Sequence, residues 1–156
     1  MFVQSVRMNT LKIIGIALLA VFARVMLFVF VPQGSGEQSP AAPTLRFDKM
    51  KSDDERTAFL AELGYEVEST PTESVEVTIP DEFDKVFAAY NQLQKQMGLD
   101  LGRYKGKKVM RYTYKVTNYD GYNDTVFANL LVHKNKIIGG DVCSADPNGF
   151  AHGLKK

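Results

Sequence analysis

Residues 108–144 read KVMRYTYKVTNYDGYNDTVFANLLVHKNKIIGGDVCS, and this stretch decides the fold. Its first part alternates between apolar and polar residues, which predicts a strand with one buried face and one face toward water. The apolar positions are Met110, Tyr112, Tyr114 and Val116, and the polar positions are Arg111, Thr113, Lys115 and Thr117. After the turn residues 118–124, the segment TVFANLLVH at 125–133 is apolar on both faces, as a central strand is.

The dipeptide Lys134-Asn135 predicts a two-residue hairpin that leads into a returning strand at 136–144. Asparagine tolerates the positive φ that a type I′ turn requires. Counting back from this turn predicts the pairs Val132 with Ile137, Ala128 with Asp141, and Val126 with Cys143. The three strands then form an antiparallel meander. The adjacent glycines at 139 and 140 indicate a place where backbone or a bulky neighbour packs closely.

The segment from Asp81 to Gly98 has a helical period instead. It predicts an amphipathic helix of about four and a half turns that Gly98 ends. The apolar positions of this helix are Phe83, Val86, Phe87, Tyr90, Leu93 and Met97. Upstream, Ser52 and Glu55 have the spacing of a capping box and predict a short helix that ends at Gly64.

Alternation at 65–67 and 75–79 predicts two further short strands, with Glu66, Glu68 and Glu76 toward water. The order of helices and strands predicts an α+β fold in which the long helix packs across an antiparallel sheet.

The N-terminal part of the chain predicts a membrane anchor. Residues 13–31, IIGIALLAVFARVMLFVFV, are apolar except for Arg24 and number 19, close to the roughly 20 residues that cross a bilayer. Arg7 and Lys12 precede this segment, and residues 33–43 contain no Lys or Arg, so the positive-inside rule places the N-terminus in the cytoplasm. An alternative is a signal peptide cleaved before Arg24.

We therefore expect a cytoplasmic N-terminus at 1–12 and a single transmembrane helix at 13–31. A flexible linker rich in Gly, Ser, Pro and Ala follows at 32–44, and an extracytoplasmic domain occupies 45–156. This layout places the protein in the cell membrane with its C-terminal domain outside the cytoplasm.

The charge of the chain argues against nucleic acid as a partner. Three of the 19 basic residues lie before Gln33, which leaves 16 basic against 18 acidic residues and a net charge of −2. Nucleic-acid binding needs a clustered positive excess. The single cysteine, Cys143, cannot form an internal disulfide, so the domain must be held together by packing.

Four stretches resemble a bacterial family described as domain of unknown function 4830. They are FLAELGYEV at 59–67, VTIPDEFDKVFAAYNQLQKQMGLDL at 77–101, YKGKKVMRYTYKVTNYDGY at 104–122 and ANLLVHKNKIIGGDVCS at 128–144. The resemblance spans about residues 52–153 and implies an N-terminal membrane helix followed by one exported domain. It implies no activity, so no residue role is carried over. The layout is also similar to cystatin-like and PepSY-like exported modules, by analogy of arrangement only.

Two kinds of chemistry have candidate residues. Cys143 and His152 provide a thiol nucleophile with a base nearby in sequence, although GGDVCSAD lacks the surroundings of known cell-wall cysteine enzymes. Asp141, Asp146 and Asn148 offer oxygen ligands for Ca²⁺, without the close spacing of a loop site. No cofactor motif is present, and His133 has no partner ligand at zinc spacing.

Two surface stretches are candidates for binding. RYKGKK at 103–108 concentrates positive charge, which fits a solvated turn or contact with an anionic wall polymer. Tyr119 and Tyr122 remain candidates for a sugar-binding face. Tyr112 and Tyr114 alternate in step with Met110 and Val116, so we expect them in the core instead.

We therefore expect a non-enzymatic binding module at the cell envelope, with an envelope protein or a wall polymer as partner. The alternative is a small envelope hydrolase or transferase that uses Cys143 and His152.

Overall fold

The computed structural model describes residues 45–155, which form two helices and a five-stranded antiparallel sheet. The helices are α1 (Asp53–Glu62) and α2 (Lys85–Lys95), and a short 3₁₀ helix, Leu101–Tyr104, follows α2. The strands are β1 (Glu73–Thr78), β2 (Lys108–Val116), β3 (Val126–His133), β4 (Lys136–Ser144) and β5 (Ala151–Gly153). The predicted α+β class is confirmed.

The predicted transmembrane helix at 13–31 and the linker at 32–44 lie outside the described residues. Between residues 45 and 155, no helix is long and apolar enough to cross a membrane.

Strands β1 to β5 adjoin one another in chain order, and every neighbouring pair is antiparallel. The predicted meander is β2, β3 and β4, and β1 extends it on one side. On the other side β5 pairs with the end of β4, an addition that the sequence did not predict. The strand expected at 65–67 is reduced to a single bridge between Val67 and Val116.

The two helices cover opposite faces of the sheet. Neighbouring side chains along a strand point to opposite sides, so each face can have its own apolar cluster. The α1 face buries Phe59 and Leu60 of the helix against Tyr114, Ala128 and Leu130 of the sheet. The α2 face has a separate apolar cluster: Ile79, Phe87, Tyr90, Leu101, Val109, Leu131 and Ile138. The sheet is therefore a central layer with a core on each side.

This arrangement corrects the prediction for β2, whose polar phase was expected to face water. Arg111 and Thr113 are both buried, since they lie on the α2 face beside Val109. The apolar phase of the same strand, with Tyr114 and Val116, packs toward α1 as expected. The strand is covered on both sides only from Val109 to Thr113, and Lys115 in the same polar phase is exposed as predicted.

Both helices begin at the capping residues that local chemistry favours. In α1, the Ser52 hydroxyl accepts from the Glu55 backbone N–H and the Glu55 carboxylate accepts from the Ser52 backbone N–H, which is the predicted capping box. In α2, the Asp84 carboxylate accepts a 2.7 Å hydrogen bond from the Phe87 backbone N–H. The predicted start near Asp81 is therefore too early, and the helix has 11 residues, or about three turns.

The hairpin between β3 and β4 has the predicted turn, since Lys134 and Asn135 both have positive φ, at 48° and 61°. The register beyond it differs. Val132 pairs with Ile137 as predicted, but Leu131 pairs with Gly139, so Ile138 is an extra residue in a β-bulge.

The bulge shifts every later pair by one residue. The predicted pairs Ala128–Asp141 and Val126–Cys143 are therefore wrong. The observed pairs are Asn129–Asp141 and Phe127–Cys143. A simple count back from the turn cannot detect an inserted residue.

The prediction of close packing at the two adjacent glycines is confirmed. A Cβ on Gly140 would lie 2.5 Å from the backbone oxygen of Asn129 and 2.6 Å from a methyl of Leu154. A Cβ on Gly139 would lie 3.1 Å from Leu101 and 3.2 Å from the Gln94 side-chain oxygen. The Gln94 side chain instead accepts a 2.8 Å hydrogen bond from the Gly140 backbone N–H, which ties α2 to β4.

The chain enters the domain beside the β3–β4 hairpin. The Ile137 backbone N–H donates to the Phe47 oxygen at 2.7 Å, and the Met50 backbone N–H donates to the Asn135 oxygen at 2.9 Å. We call this end of the sheet the hairpin end. The opposite end, where β2 stops at Val116 and β3 starts at Val126, is called the far end and carries the loops at 117–125 and 145–150.

Candidate functional site

A set of polar side chains is buried on the α2 face of the sheet, and we call it the buried polar cluster: Tyr90, Thr113, Asn129, Asp141 and Cys143. The bulge in β4 is what turns Asp141 and Cys143 toward this face. The Thr113 hydroxyl donates to the Asn129 side-chain oxygen at 2.7 Å, and the Asn129 amide donates to the Asp141 carboxylate at 2.9 Å. Neighbouring strands β2, β3 and β4 are thus linked through their side chains.

The same amide of Asn129 lies 3.5 Å from the Cys143 sulfur, and the Tyr90 hydroxyl donates to the other Asp141 oxygen at 2.9 Å. Burial raises the pKa of the Asp141 carboxyl above its ordinary value, although the hydrogen bonds from Asn129 and Tyr90 act in the opposite direction. Burial also raises the pKa of the Cys143 thiol, to about 12, with Asp141 adding to the effect. A thiol with that pKa is protonated at neutral pH and is a weak nucleophile.

Arg111 lies next to this cluster on β2. Its guanidinium forms an ion pair with Glu73 of β1, and both side chains are largely buried. The Arg111 Nε is buried without a hydrogen-bond partner among residues 45–155. The positive charge of Arg111 lowers the pKa of the Asp141 carboxyl, against the larger effect of burial.

The structure does not bring Cys143 and His152 together. Cys143 is opposite Ala151 in the β4–β5 pairing, whereas His152 is opposite Val142, so the thiol and the imidazole point to different faces of the sheet. The Gly153 carbonyl can only accept, so the 2.6 Å contact assigns the proton to Nδ1 of His152. Nε2 of the same ring forms a 2.9 Å hydrogen bond with the Tyr119 hydroxyl.

The candidate calcium ligands are also separated. Asp141 is buried in the cluster, while Asp146 lies in the turn after β4, where its carboxylate accepts a 2.8 Å hydrogen bond from the Asn148 backbone N–H. In the described part of the chain, no group of three or more His, Cys, Asp or Glu side chains is arranged to hold a metal ion.

The far end of the sheet carries half-buried aromatic side chains that we call the aromatic surface: Tyr119, Tyr122, Phe150 and His152. The rings of Tyr119 and Phe150 are stacked with centroids 4.9 Å apart, and those of Phe150 and His152 are stacked at 5.5 Å. Tyr122 meets the edge of Phe150 at 5.0 Å. The two far-end loops are thus held together by their aromatic rings.

Acidic residues surround the aromatic surface. Asp120 and Asp124 lie in the loop that carries the two tyrosines, and Asp146 lies in the loop that leads to Phe150. Neither 117–125 nor 145–152 contains Lys or Arg. The far end therefore presents aromatic rings within a negative potential.

The sequence identified part of these two regions. Tyr119, Tyr122, His152, Asp141 and Cys143 were candidates from their residue types, and Tyr114 is fully buried, as its phase predicted. Asn129 and Thr113 were missed, because in sequence they are ordinary polar positions within strands. Phe150 was also missed, although an aromatic residue between turn residues and a short strand was an available signal.

A family model described as domain of unknown function (DUF4830) matches residues 59–142, more than half of the chain. The chain belongs to this family. The DUF4830 match begins within α1 and ends at Val142 in β4, so it covers most of the sheet and all of α2. No curated protein matches the chain, and no solved structure matches it. The family description states no activity, so residue roles rest on the geometry given above.

Proposed function

We propose that this member of the DUF4830 family is a single-pass membrane protein whose extracytoplasmic domain is a non-enzymatic binding module of the cell envelope. The proposed partner is another envelope protein, bound through the aromatic surface at the far end. The anchor in this proposal is supported by the apolar segment at 13–31 and by the basic residues Arg7 and Lys12 before it.

The observation that carries the binding role is the exposure of the aromatic surface. Its rings are only half buried, and two of them belong to tyrosines, which provide large contact area together with a polar hydroxyl. Aromatic residues of this kind are enriched at protein–protein interfaces. The stacking of Tyr119 on Phe150 holds the rings in place before a partner arrives, which lowers the entropic cost of binding.

The charge around the aromatic surface favours a protein partner over an anionic wall polymer. Asp120, Asp124 and Asp146 are unaccompanied by Lys or Arg in their loops, so a polyphosphate chain would be repelled. A protein segment with Lys or Arg side chains would instead gain ion pairs at the rim and cation–π contacts with the rings.

The geometry of Cys143 and His152 does not favour the enzymatic alternative. The thiol is only 7% exposed, it is protonated at neutral pH because its pKa is about 12, and the imidazole lies on the other face of the sheet. The imidazole of His152 therefore cannot take a proton from the thiol of Cys143 in this structure.

Site-specific photocrosslinking in living cells tests the proposed partner. A photoreactive amino acid replaces Asn148, which is exposed beside the aromatic surface, and the matched control places it at Gln92 on the outer side of α2. We expect a discrete protein adduct from position 148 and none from 92, with mass spectrometry naming the partner. Adducts to wall glycan from position 148, or equal adducts from both positions, would contradict the proposal.

The orientation is tested separately with intact protoplasts. Protease added outside should remove residues 45–156, and the cleaved fragment should be lost from the cell pellet. A protected domain would contradict the orientation. Recovery of a mature chain that begins near Arg24 would contradict the anchor.

A further inference from the structure

Exposed basic side chains gather at the hairpin end of the domain, and we call them the basic end: Arg46, Lys49, Lys105, Lys107, Lys134 and Lys136. They come from three stretches that are distant in sequence. The entering segment, residues 45–50, is joined to the hairpin by the Met50–Asn135 backbone hydrogen bond of 2.9 Å. The stretch 103–108 is joined to the hairpin by the ring of Tyr104, which meets the His133 ring edge-on at 5.6 Å.

The charges of the basic end are largely uncompensated. None of its six residues forms an ion pair with any residue from 45 to 155, whereas the neighbouring Lys108 is paired with Glu76 at 3.0 Å. The Lys105 ammonium lies 4.8 Å from the centre of the Phe83 ring, which holds it in place and leaves its charge intact. Asp48, Asp81 and Glu82 are the acidic residues on the adjoining stretches, and they are outnumbered.

The described part of the chain begins at this same end. Leu45 lies two residues before Phe47, whose carbonyl oxygen accepts a hydrogen bond from the backbone N–H of Ile137 at the start of β4. In the sequence, only residues 32–44 separate Leu45 from the apolar segment 13–31. The flexible linker predicted at 32–44 would have a typical end-to-end distance of about 20 Å. An anchor at 13–31 therefore keeps the basic end near the surface of the bilayer.

We propose that the basic end docks on the anionic phospholipid headgroups of the membrane that holds the anchor, a proposal that rests on the proposed anchoring at 13–31. Clustered Lys and Arg next to a membrane segment bind anionic lipid headgroups through charge. Docking in this way turns the acidic far end away from the membrane. The aromatic surface, at the opposite end of the strands, then faces partners outside.

The test uses the full-length protein reconstituted in vesicles, with a fluorophore at one end of β1 or the other. Thr78→Cys places the label at the hairpin end, opposite Lys108, and Thr72→Cys places it toward the far end, since the Thr72 backbone N–H bonds to Thr113. Both residues are exposed, which makes them a matched pair. Vesicles contain phosphatidylcholine alone or with 30% phosphatidylglycerol, and a nitroxide on a headgroup quenches nearby fluorophores.

We expect strong quenching at position 78 in vesicles with phosphatidylglycerol, little in phosphatidylcholine alone, and little at position 72 in either. High salt should release the quenching, because the contact is electrostatic. The triple variant Lys105→Gln/Lys107→Gln/Lys134→Gln should lower the ratio of docked to undocked domain about 100-fold. The control triple, Lys95→Gln/Lys115→Gln/Lys155→Gln, should leave it unchanged.

An inserted protein whose position 78 stays unquenched on anionic vesicles would overturn the docking proposal and leave the anchor intact. Quenching that is insensitive to salt and to the triple variant would overturn it as well. Binding of polyglycerol phosphate at the basic end without vesicle quenching would assign that end to a wall polymer instead. A protein that fails to float with vesicles of either composition would contradict the anchor, and hence the proposed function.

Discussion

The Tyr90 hydroxyl donates a 2.9 Å hydrogen bond to the Asp141 carboxylate, and this contact joins α2 to the centre of the sheet. Both side chains are buried, so the acid carries its charge in a medium that solvates it poorly. The contact is therefore the point where the stability of the fold should depend on pH.

The free energy of unfolding should decrease as pH rises and the buried Asp141 carboxyl loses its proton. Burial raises the pKa of this carboxyl in the folded state, so between the ordinary value of 3.8 and the raised value the folded protein binds more protons than the unfolded one. The free energy of unfolding therefore decreases as pH rises through that window. Asp141→Asn removes this pH-dependent contribution. The free energy of unfolding of the variant minus that of the wild type should therefore increase as pH rises through the window. Urea unfolding of both proteins at several pH values measures the difference, and a constant difference would contradict the assignment.

Phe87→Ala should destabilise the protein by about 3 to 5 kcal/mol, because it leaves a cavity in the cluster under α2. Thr78→Ala, on the exposed phase of β1, should stay within roughly 0.5 kcal/mol. Urea unfolding of the full chain in detergent, followed by tyrosine fluorescence, compares the two. Equal losses would mean that Phe87 does not pack as described.

Arg56 holds α1 to the sheet and to the entering segment. Its Nε donates to the Tyr114 hydroxyl at 2.8 Å, one terminal nitrogen donates to the Met50 carbonyl at 3.0 Å, and the other is paired with Asp53. A lysine cannot donate in three fixed directions, so Arg56→Lys should cost about 2 to 4 kcal/mol. The same substitution at the exposed Arg103 should cost almost nothing, and the same urea assay tests both.

Cys143 should react slowly with a maleimide in the folded protein and quickly in denaturant, because the thiol is buried and its pKa is raised to about 12. Cys143→Ser should cost about 1 to 3 kcal/mol, since a hydroxyl replaces a packed sulfur. Its function in cells should fall no further than that loss of stability requires. Rapid labelling of the folded protein, with a stable but inactive Cys143→Ala variant, would support the enzymatic alternative.

The two adjacent glycines should tolerate alanine differently. Gly140→Ala places a methyl against the backbone oxygen of Asn129, which cannot move without breaking the β3–β4 pairing, so a loss of about 3 kcal/mol or more is expected. Gly139→Ala meets only the side chains of Leu101 and Gln94, which can shift, and should cost about 1 kcal/mol. Thermal unfolding of the two variants under the same conditions shows whether Gly140→Ala loses more stability than Gly139→Ala.

The elements that the sequence predicted well are those set by local chemistry. The capping box at Ser52, the amphipathic face of α2 and the positive φ of Lys134 and Asn135 each depend on a few neighbouring residues. The elements that it missed depend on contacts between distant residues. Arg111 is buried only because β1, β3 and α2 surround it, and its own strand pattern indicates the opposite.

The candidate site shows the same division. Tyr119 and Tyr122 were recognisable in sequence, but their stacking with Phe150 brings together two loops that are far apart along the chain. Strand β5 has only three residues, too few for any period to appear. The separation of Cys143 from His152 follows from the pairing of that short strand with β4, so spacing alone was no guide to it.

The bulge at Ile138 makes the length of β4 more important than its composition. Adding one residue between Gly139 and Asp141, with the hairpin and the bulge kept, would turn Asp141 and Cys143 into the apolar core beneath α1, while Val142 would exchange sides with them. Substitutions along β4 alter one contact at a time, but a single-codon insertion after the bulge would invert the second half of the strand. We therefore expect relatives with a working fold to vary freely in the exposed hairpin turn and to have no added residue between Ile137 and Ser144.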